Sequence, residues 1–397
     1  MSRLTQRTIG LLAQPTSVPF IDILRGIRHF TGPSRRWRIL ARSPGDPEEL
    51  QWLVRQSLDG QICHVSLGSH LEACLELGVP TVSTSGRFSP EYLDGRPVTT
   101  IRIDEQAVGS MAARHLMSLG LENFALFGIR WLYCSTERCE GFRKALSEKG
   151  HDCSVFWGDR ADPYDPSSPS APEPPEEVMG EFLASLPKPC GLLATDPGYA
   201  DRMIDLAVTM QIAVPEELAV ISAHDSEIAA HCSLPAISAV RLPLEQLGYR
   251  AGEALECIMS GRKPPRYKLL QPVGVEHRDS TAMLATGDPQ VRMAMAYIRR
   301  NCLTPCSVED VLDAVGCSRS YLDRAFRKAL GRTVFSEIRR RQILAAKKML
   351  SDTEETIESI ATACGFSGGM RFSQVFREAA GESPSVYRRQ FGRKSIG

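Results

Sequence analysis

No stretch of this 397-residue sequence approaches the ~20 consecutive apolar residues that a membrane-spanning helix needs. The N-terminus also lacks the charged-then-apolar pattern of a secretory signal. Those two absences argue against a membrane protein and against a disulfide-stapled secreted one. A metal framework is missing too: the closest cysteine pairs, Cys134/Cys139 and Cys302/Cys306, have no further Cys or His at zinc-like spacing. The twelve cysteines are therefore expected to be reduced, mostly buried cytoplasmic thiols that behave as small hydrophobes. The chain shows no phosphate loop and no nucleophile with a base, and neither a cofactor nor a metal is expected. Charge of one sign is not in excess, since 47 Lys and Arg balance 47 Asp and Glu.

That balance conceals an asymmetry. From Pro289 to Gly397 the chain carries 19 Lys and Arg against 11 Asp and Glu, a net of +8. The remainder carries 28 against 36, a net of −8. A basic tail on an acidic body is what a polyanion-binding module fused to another domain would give. Charge alone would equally suit a membrane surface or an acidic protein.

A chain this long suggests two or three domains. Its first 280 residues alternate short apolar runs with helical patterns. Thr8–Ala13, Trp37–Ala41, Gln61–Leu67, Pro80–Ser83, Asn123–Gly128, Cys190–Thr195 and Leu218–Ala223 read as strands. Phe20–Phe30, Pro47–Ser57 and Leu71–Leu77 read as helices between the first of them. Alternation of this kind gives parallel sheets with helices on both faces, and the number of units calls for two lobes. Residues 159–180, crowded with Pro, Ser and acids, read as a surface excursion. The pattern stops near Val275. Three segments are expected: a two-lobed domain over 1–278, a linker over 279–288, and an all-α domain over 289–394. In the last, Val291–Asn301, Val308–Val315, Arg319–Leu330, Phe335–Leu350, Ile357–Cys364 and Met370–Ala380 read as helices.

Two stretches of the tail match each other. Val308–Gly316 and Ile357–Gly365 lie 49 residues apart, share apolar positions and both end in glycine. Each continues to a serine, Ser318 or Ser367, and then to a helix with a phenylalanine (Phe326, Phe376) in its second half. A helix-turn-helix needs this order: the first helix stops at a residue free to adopt positive φ, and the polar turn residue caps the second, whose outer face enters the major groove. Ser307 with Asp310, and Ser383-Pro384, are further helix-start signals. Between the units, Phe335–Leu350 reads as an amphipathic spacer with Ile338, Ile343, Leu344, Met349 and Leu350 inward. Arg339–Arg341 and Lys347–Lys348 remain for solvent or phosphate. Gly365-Phe-Ser-Gly-Gly369 also fits the G-x-S-x-G nucleophile elbow, but that motif needs a strand before it, and the residues before it read as helix.

Over about 100 residues this region resembles the AraC family of regulators. The residues that carry the resemblance are Ala314-Val-Gly-Cys-Ser318, Leu322-Asp-Arg-Ala-Phe326, Gly331, Ala345–Leu350, Ile360-Ala361, Cys364-Gly-Phe366, Phe372, Phe376-Arg377, Ser383-Pro384 and Tyr387-Arg388. Val334 stands where the family usually has proline, which predicts a looser start for the spacer helix. The resemblance implies double-stranded DNA as partner, with Arg319, Ser320, Asp323 and Arg324 facing the groove from the first recognition helix. From the second it implies Gly369, Met370, Arg371, Ser373 and Gln374. Arg reads guanine and Gln reads adenine by paired hydrogen bonds, whereas Gly369 and Met370 are poor base readers. For any one of these residues alone, a solvated helix face is the competing reading.

The body resembles the periplasmic-binding-protein fold of LacI-type sensors, on Thr136–Phe142, Ala194-Thr-Asp196, Pro215–Ile221 with His224-Asp225, and Leu247-Gly248-Tyr249. No LacI-type DNA headpiece precedes it, so DNA binding is expected from the tail. Body and tail together resemble the xylose-operon regulators of the AraC family. That implies a sugar effector between the lobes, D-xylose or a related monosaccharide, a homodimer, and recruitment of RNA polymerase as an activator. Strand ends place Asp196 and Asp225, and Asp104 after Thr99–Ile103, at the expected ligand site. Arg138 occupies the position where the family's arginine meets sugar hydroxyls, and Phe20 and Trp131 are candidate stacking partners. Helix capping would equally explain Asp196 and Asp225, a surface salt bridge Arg138, and core packing Phe20 and Trp131. A sugar-processing enzyme with an accessory DNA-binding tail, or an architectural DNA binder whose body only dimerises, are the rival classes.

Overall fold

The computed structural model describes every residue except 1–5, 14–17, 33–36, 159–173, 265–267, 283–287, 305, 354 and 392–397. Two compact units result, one of residues 1–211 with 218–282, the other of 212–217 with 283–397. Among the described residues no helix is long and apolar enough to cross a membrane. All twelve thiols are free.

The first unit holds two sheets. The first is built from β1 (Arg7–Ala13), β2 (Trp37–Arg42), β3 (Gly60–His64), β4 (Thr81–Ser83) and β5 (Thr99–Thr100), with α1 (Val18–Thr31), α2 (Pro47–Val54), α3 (Gly68–Leu75) and α4 (Pro90–Leu93) in the connections. Its order is β2-β1-β3-β4-β5, all parallel, with Ile9 opposite Ile39 and Leu11 opposite Ile62. Helices cover both faces, so the central strand β1 is apolar throughout its buried length rather than alternating.

The second sheet follows α5 (Glu105–Ser118) and takes in β6 (Asn123–Gly128), β7 (Cys153–Trp157), β8 (Cys190–Ala194), β9 (Leu218–Ser222), β10 (Ser238–Arg241) and β11 (Gly274–Glu276). Its connections carry α6 (Tyr133–Ser147), α7 (Glu176–Ser185), α8 (Pro197–Thr209) and α9 (Glu227–Cys232), and α10 (Leu244–Met259) returns to pack on α1, β3 and β4. The order is β11-β10-β9-β8-β6-β7, parallel except that β11 runs antiparallel to β10, a departure from the all-parallel expectation. Two connections between the sheets run side by side, where Asp104 N donates to Leu270 O (2.9 Å) and Leu270 N to Arg102 O (2.9 Å).

Two helix pairs carry matching glycine contacts. A Cβ on Gly26 of α1 would lie 1.9 Å from the Glu245 carbonyl oxygen, and one on Gly248 of α10 would lie 2.0 Å from that of Ile23. The same reciprocity joins α5 and α6: a Cβ on Gly109 would lie 1.9 Å from the Arg138 carbonyl oxygen, and one on Gly141 2.0 Å from that of Gln106. Only glycine lets these backbones approach so closely.

Several element ends shift by a few residues from the sequence expectation, among them the expected strand Gln61–Leu67, which ends at His64, and the expected helix Leu71–Leu77, which runs Gly68–Leu75. Two further differences bear on the segment division. The excursion expected over 159–180 ends earlier, because α7 begins at Glu176 with Glu176 and Glu177 favourably placed in its first turn; 159–173 lie outside the described residues. Asp279–Thr281, expected to open the linker, instead form a 3-10 turn with Ser280 and Thr281 buried. Ser280 Oγ donates to Val220 O (2.6 Å) and accepts from Ser238 N (2.8 Å), tying this turn to β9 and β10.

The second unit is helical: α11 (Pro289–Asn301), α12 (Val308–Val315), α13 (Arg319–Leu330), α14 (Val334–Asp352), α15 (Ile357–Ala363), α16 (Gly369–Ala380) and α17 (Pro384–Phe391). α14 is its spine. Val334 and Ile338 enter a core with α11, α12 and α13, whereas Ile343, Ala346 and Leu350 enter a second core with α15 and α16. The side chains of Leu344 and Lys348 lie outside the described residues. Val334 does not loosen the helix start: Thr333 caps it by accepting from Ser336 N (3.2 Å), and Val334 is buried. Between the two cores Gln342 Nε2 donates to Cys302 O (2.9 Å). One turn earlier the fully buried Glu337 carboxylate holds Arg332 (2.9 Å), Arg340 (2.8 Å) and Arg341 (2.9 Å), all in contact with its own or a neighbouring turn.

Candidate functional site

The carboxyl ends of the two sheets in the first unit face each other across a cavity of about 510 Å³, a size that suits a small organic ligand. One wall carries His64 at the end of β3, His70 of α3 and Arg87 after β4. The opposite wall carries Asp196 after β8, Asp201 of α8 and His224 after β9. Deeper in, a smaller cavity of about 80 Å³ shares His64, Arg87, Asp196 and His224 and adds Glu105, Arg138 and Thr195. Among the described residues no Phe, Tyr or Trp lines either cavity.

Arg138 is the best-anchored group there. The glycine crossing of α5 on α6 brings its guanidinium to Glu105, with Nε 2.7 Å from Oε2, and both side chains are buried. Nη1 donates to Thr195 O (2.9 Å) and lies 3.3 Å from His224 Nδ1. Burial works against the charge, but the Glu105 carboxylate overrides it and holds Arg138 above its ordinary range. Arg138 is thus a buried ion pair at the cleft floor, not a surface salt bridge. Asp196 combines two roles: Oδ1 caps α8 by accepting from Gly198 N (2.8 Å), and the residue lines both cavities.

The two flanking imidazoles are neutral. Burial, and then the charge of Arg87, push His64 down to about 4; burial, and then Arg138, do the same for His224. His64 Nδ1 lies 3.0 Å from Thr84 Oγ1. Among the described residues the Arg87 side chain makes no hydrogen bond or ion pair, though its charge acts on His64 and His224.

The other four residues expected at the ligand site sit elsewhere. Asp225 is clamped by the Arg278 fork, Oδ1 to Nη1 2.7 Å and Oδ2 to Nη2 2.9 Å, while Ser226 is the cap of α9. Asp104 caps α5 through Ala107 N (2.9 Å) and accepts from Gln271 Nε2 (3.0 Å), so it fastens the two connections between the sheets. Phe20 is buried in α1, and Trp131 packs with Ile129, Leu132, Cys134 and Tyr199. None of the four lines either cavity. Conversely, the strand-end rule that selected Asp196 also selects His64 and His224, once imidazoles are admitted alongside carboxylates.

In the second unit, α12–α13 and α15–α16 form two helix-turn-helix units. α12 opens with a Ser307/Asp310 capping box and closes at Gly316, φ 70°. Ser318 then caps α13 by accepting from Tyr321 N (3.3 Å). The second unit departs from this pattern: Ser367 does not cap α16, which starts one residue later behind Gly368 without a side-chain cap. A helix, α15, precedes the G-x-S-x-G stretch, so the strand of a nucleophile elbow is missing there. Arg319, Ser320 and Arg324 are exposed on α13, with Asp323 half-buried. On α16, Met370, Arg371 and Gln374 are exposed, and Gly369 and Ser373 half-buried. Met370 is 90% exposed and offers a bare thioether, suited to a thymine methyl rather than to a hydrogen-bonding base edge. Arg371 Nη1 lies 3.4 Å from Gln374 Oε1, and Gln374 Nε2 donates to Glu378 (3.1 Å). Arg324 makes no hydrogen bond or ion pair among the described residues.

Comparison with known proteins follows this division. Residues 113–281 match the periplasmic binding protein-like domain and residues 311–390 a helix-turn-helix domain. The xylose operon regulatory protein of Escherichia coli (strain K12) is 30% identical over 326 residues, covering 80% of each chain. Its counterpart in Haemophilus influenzae is 27% identical over 337 residues, 84% of this chain and 85% of that one. The solved structure of the xylose-binding transcription activator xylR superposes with a TM-score of 0.71 at 28% identity, over 98% of this chain and all of that one. Both resemblances drawn from the residues, two lobes in front and an AraC-type tail behind, are borne out.

Proposed function

Because the chain belongs to the family of xylose operon regulatory proteins, we propose that it activates sugar-catabolism genes when a monosaccharide, D-xylose or a relative of it, binds between the lobes of its first unit. In this reading residues 1–278 sense the sugar and residues 289–394 hold DNA. The observation that carries it is the pairing of two features in one chain: a cleft whose polar groups come from both lobes, and two helix-turn-helix units with exposed arginines. Arg138 and Asp196 supply fixed donors and acceptors for hydroxyls, and neutral His64 and His224 supply either.

The sugar acts by population shift. It binds the closed arrangement of the lobes better than the open one, and the DNA-binding tails gain the arrangement that fits their sites. The working form is a cytoplasmic homodimer on repeated half-sites, where it recruits RNA polymerase. The body is a sensor and not a sugar-processing enzyme. Thermal-shift screening against pentoses and hexoses tests the reading: a specific sugar raises the melting temperature by mass action and changes operator affinity. Turnover of the bound sugar, or no response to any monosaccharide, overturns it.

A further inference from the structure

Between α8 and β9 the chain leaves the first unit for one short turn: residues 212–217 belong with the second unit, and the chain returns at Leu218. Both elements that flank this turn line the cleft at their other ends. α8 starts at the Asp196 cap and carries Asp201, and β9 leads to His224. Ala200, Met203, Ile204 and Ala207 are buried along the 13 residues of α8, about 20 Å of helix. Two ion pairs hold the turn to α11. Glu216 Oε1 lies 2.6 Å from Arg299 Nε with both side chains buried, and Arg300 Nη2 donates to Glu217 Oε2 (2.6 Å). Glu217 also accepts from Ala213 N (2.7 Å), which closes the turn on itself. Glu216 Oε2 is buried without a hydrogen-bond partner among the described residues, so the carboxylate depends on Arg299. Burial raises the Glu216 carboxyl, against the pull of Arg299 and, from α14, of Arg341. Arg341 is one of the three arginines on Glu337, so Glu216 also acts on the charge network of the helix that joins the two helix-turn-helix units.

We infer that the 212–217 turn is the coupling element of this chain, passing the state of the cleft to the DNA-binding unit through the Glu216–Arg299 pair. This rests on the monosaccharide reading above and names its route. A sugar held by Asp196 and His224 fixes the cleft ends of α8 and β9, and a helix packed along its length shifts as a piece. Any displacement that reaches Gln211 is taken up by the turn. A buried ion pair adds little net stability over an apolar pair of the same volume, but one partner without the other is costly. The pair therefore admits few arrangements of the turn on α11, and discrete arrangements are what a switch between two states requires.

Fluorescence anisotropy of the full chain on an operator obtained by in vitro selection tests it, with and without D-xylose, L-arabinose, D-ribose or D-glucose. Isothermal titration of the same sugars runs beside it. In the native chain at least one sugar should change operator affinity by about 5- to 150-fold, the usual range for coupled sites. Glu216→Gln should bring that factor to within about two-fold of one while sugar affinity stays within about three-fold of native. The double variant Glu216→Met with Arg299→Met keeps the volume and removes both charges, so it should fold and show the same loss of response. An unchanged response in either folded variant would overturn the inference and leave the monosaccharide reading standing. Loss of sugar binding itself in a variant that melts normally would give the pair a structural role in the cleft and overturn the inference too. No response of the native chain to any of the four sugars would overturn both.

Discussion

Arg319 at the start of α13 reaches back across the turn to Glu309 of α12, with Nη1 2.8 Å from Oε1. Both side chains are well exposed, so the pair is worth little to stability. Its consequence is for DNA. On the proposal that Arg319 faces the groove, the carboxylate beside it must be displaced, or its repulsion from phosphate endured, before the guanidinium reaches a base.

Removing that carboxylate should therefore tighten binding. Glu309→Ala is expected to raise affinity for an operator obtained by in vitro selection about three- to ten-fold at fixed salt, the effect of one freed cation and one lost anion. Fluorescence anisotropy at two salt concentrations checks this. An unchanged or weaker affinity would mean that Glu309 holds Arg319 in its productive position.

Arg324 and Gln374 differ in how free they are. Arg324 is exposed and makes no hydrogen bond or ion pair among the described residues, whereas Gln374 lies in a chain from Arg371 to Glu378. Arg324→Ala should thus relax sequence preference by about 1–3 kcal/mol at one base pair, and Gln374→Ala by clearly less. Selection from randomised duplexes with each variant measures both. Equal losses would contradict the inequality of the two recognition helices.

Much of the architecture was legible because local patterns decide it. Asn123–Gly128, Val308–Val315 and Arg319–Leu330 fall where the apolar periodicity and caps put them. What failed to show was anything set by a distant residue. Asp225 obeys the strand-end rule, yet Arg278, 53 positions on, claims both its oxygens. Phe20 has the right chemistry for stacking, but a helix face turns it into the core. Arg87 leaves no periodic trace, because it lies in a loop and only the opposing sheet makes it part of a cleft. The glycine crossings are invisible in sequence for the same reason, since which helices meet is a tertiary fact.

Those crossings make a sharp stability prediction. In Gly248→Ala the new methyl would lie 2.0 Å from the Ile23 carbonyl oxygen, so α1 and α10 must move apart. The expected cost is about 2–3 kcal/mol, typical of overpacking against rigid backbone. The same substitution at Gly369 meets nothing closer than 3.9 Å and should be neutral or slightly stabilising, as Ala is the better helix former. Thermal melts of the two variants give the comparison; similar shifts would mean that the helix pair accommodates a methyl.

Acid should weaken the first unit through its buried imidazoles. Burial pushes His64, His115 and His224 down to about 4, helped by Arg87, His277 and Arg138 respectively. Above the ordinary value of 6.5 an imidazole is neutral whether the chain is folded or not, so nothing changes there. Between 6.5 and 4 the unfolded chain binds protons that the folded one refuses, and stability falls as pH falls; below 4 the loss levels off. Each imidazole contributes on the order of 3 kcal/mol over that window. His115, which is 8% exposed and 2.9 Å from Thr281 Oγ1, isolates one share. Melting temperature against pH should fall less steeply from 6.5 to 4 in His115→Asn than in the native chain, and parallel curves would show that His115 titrates normally when folded.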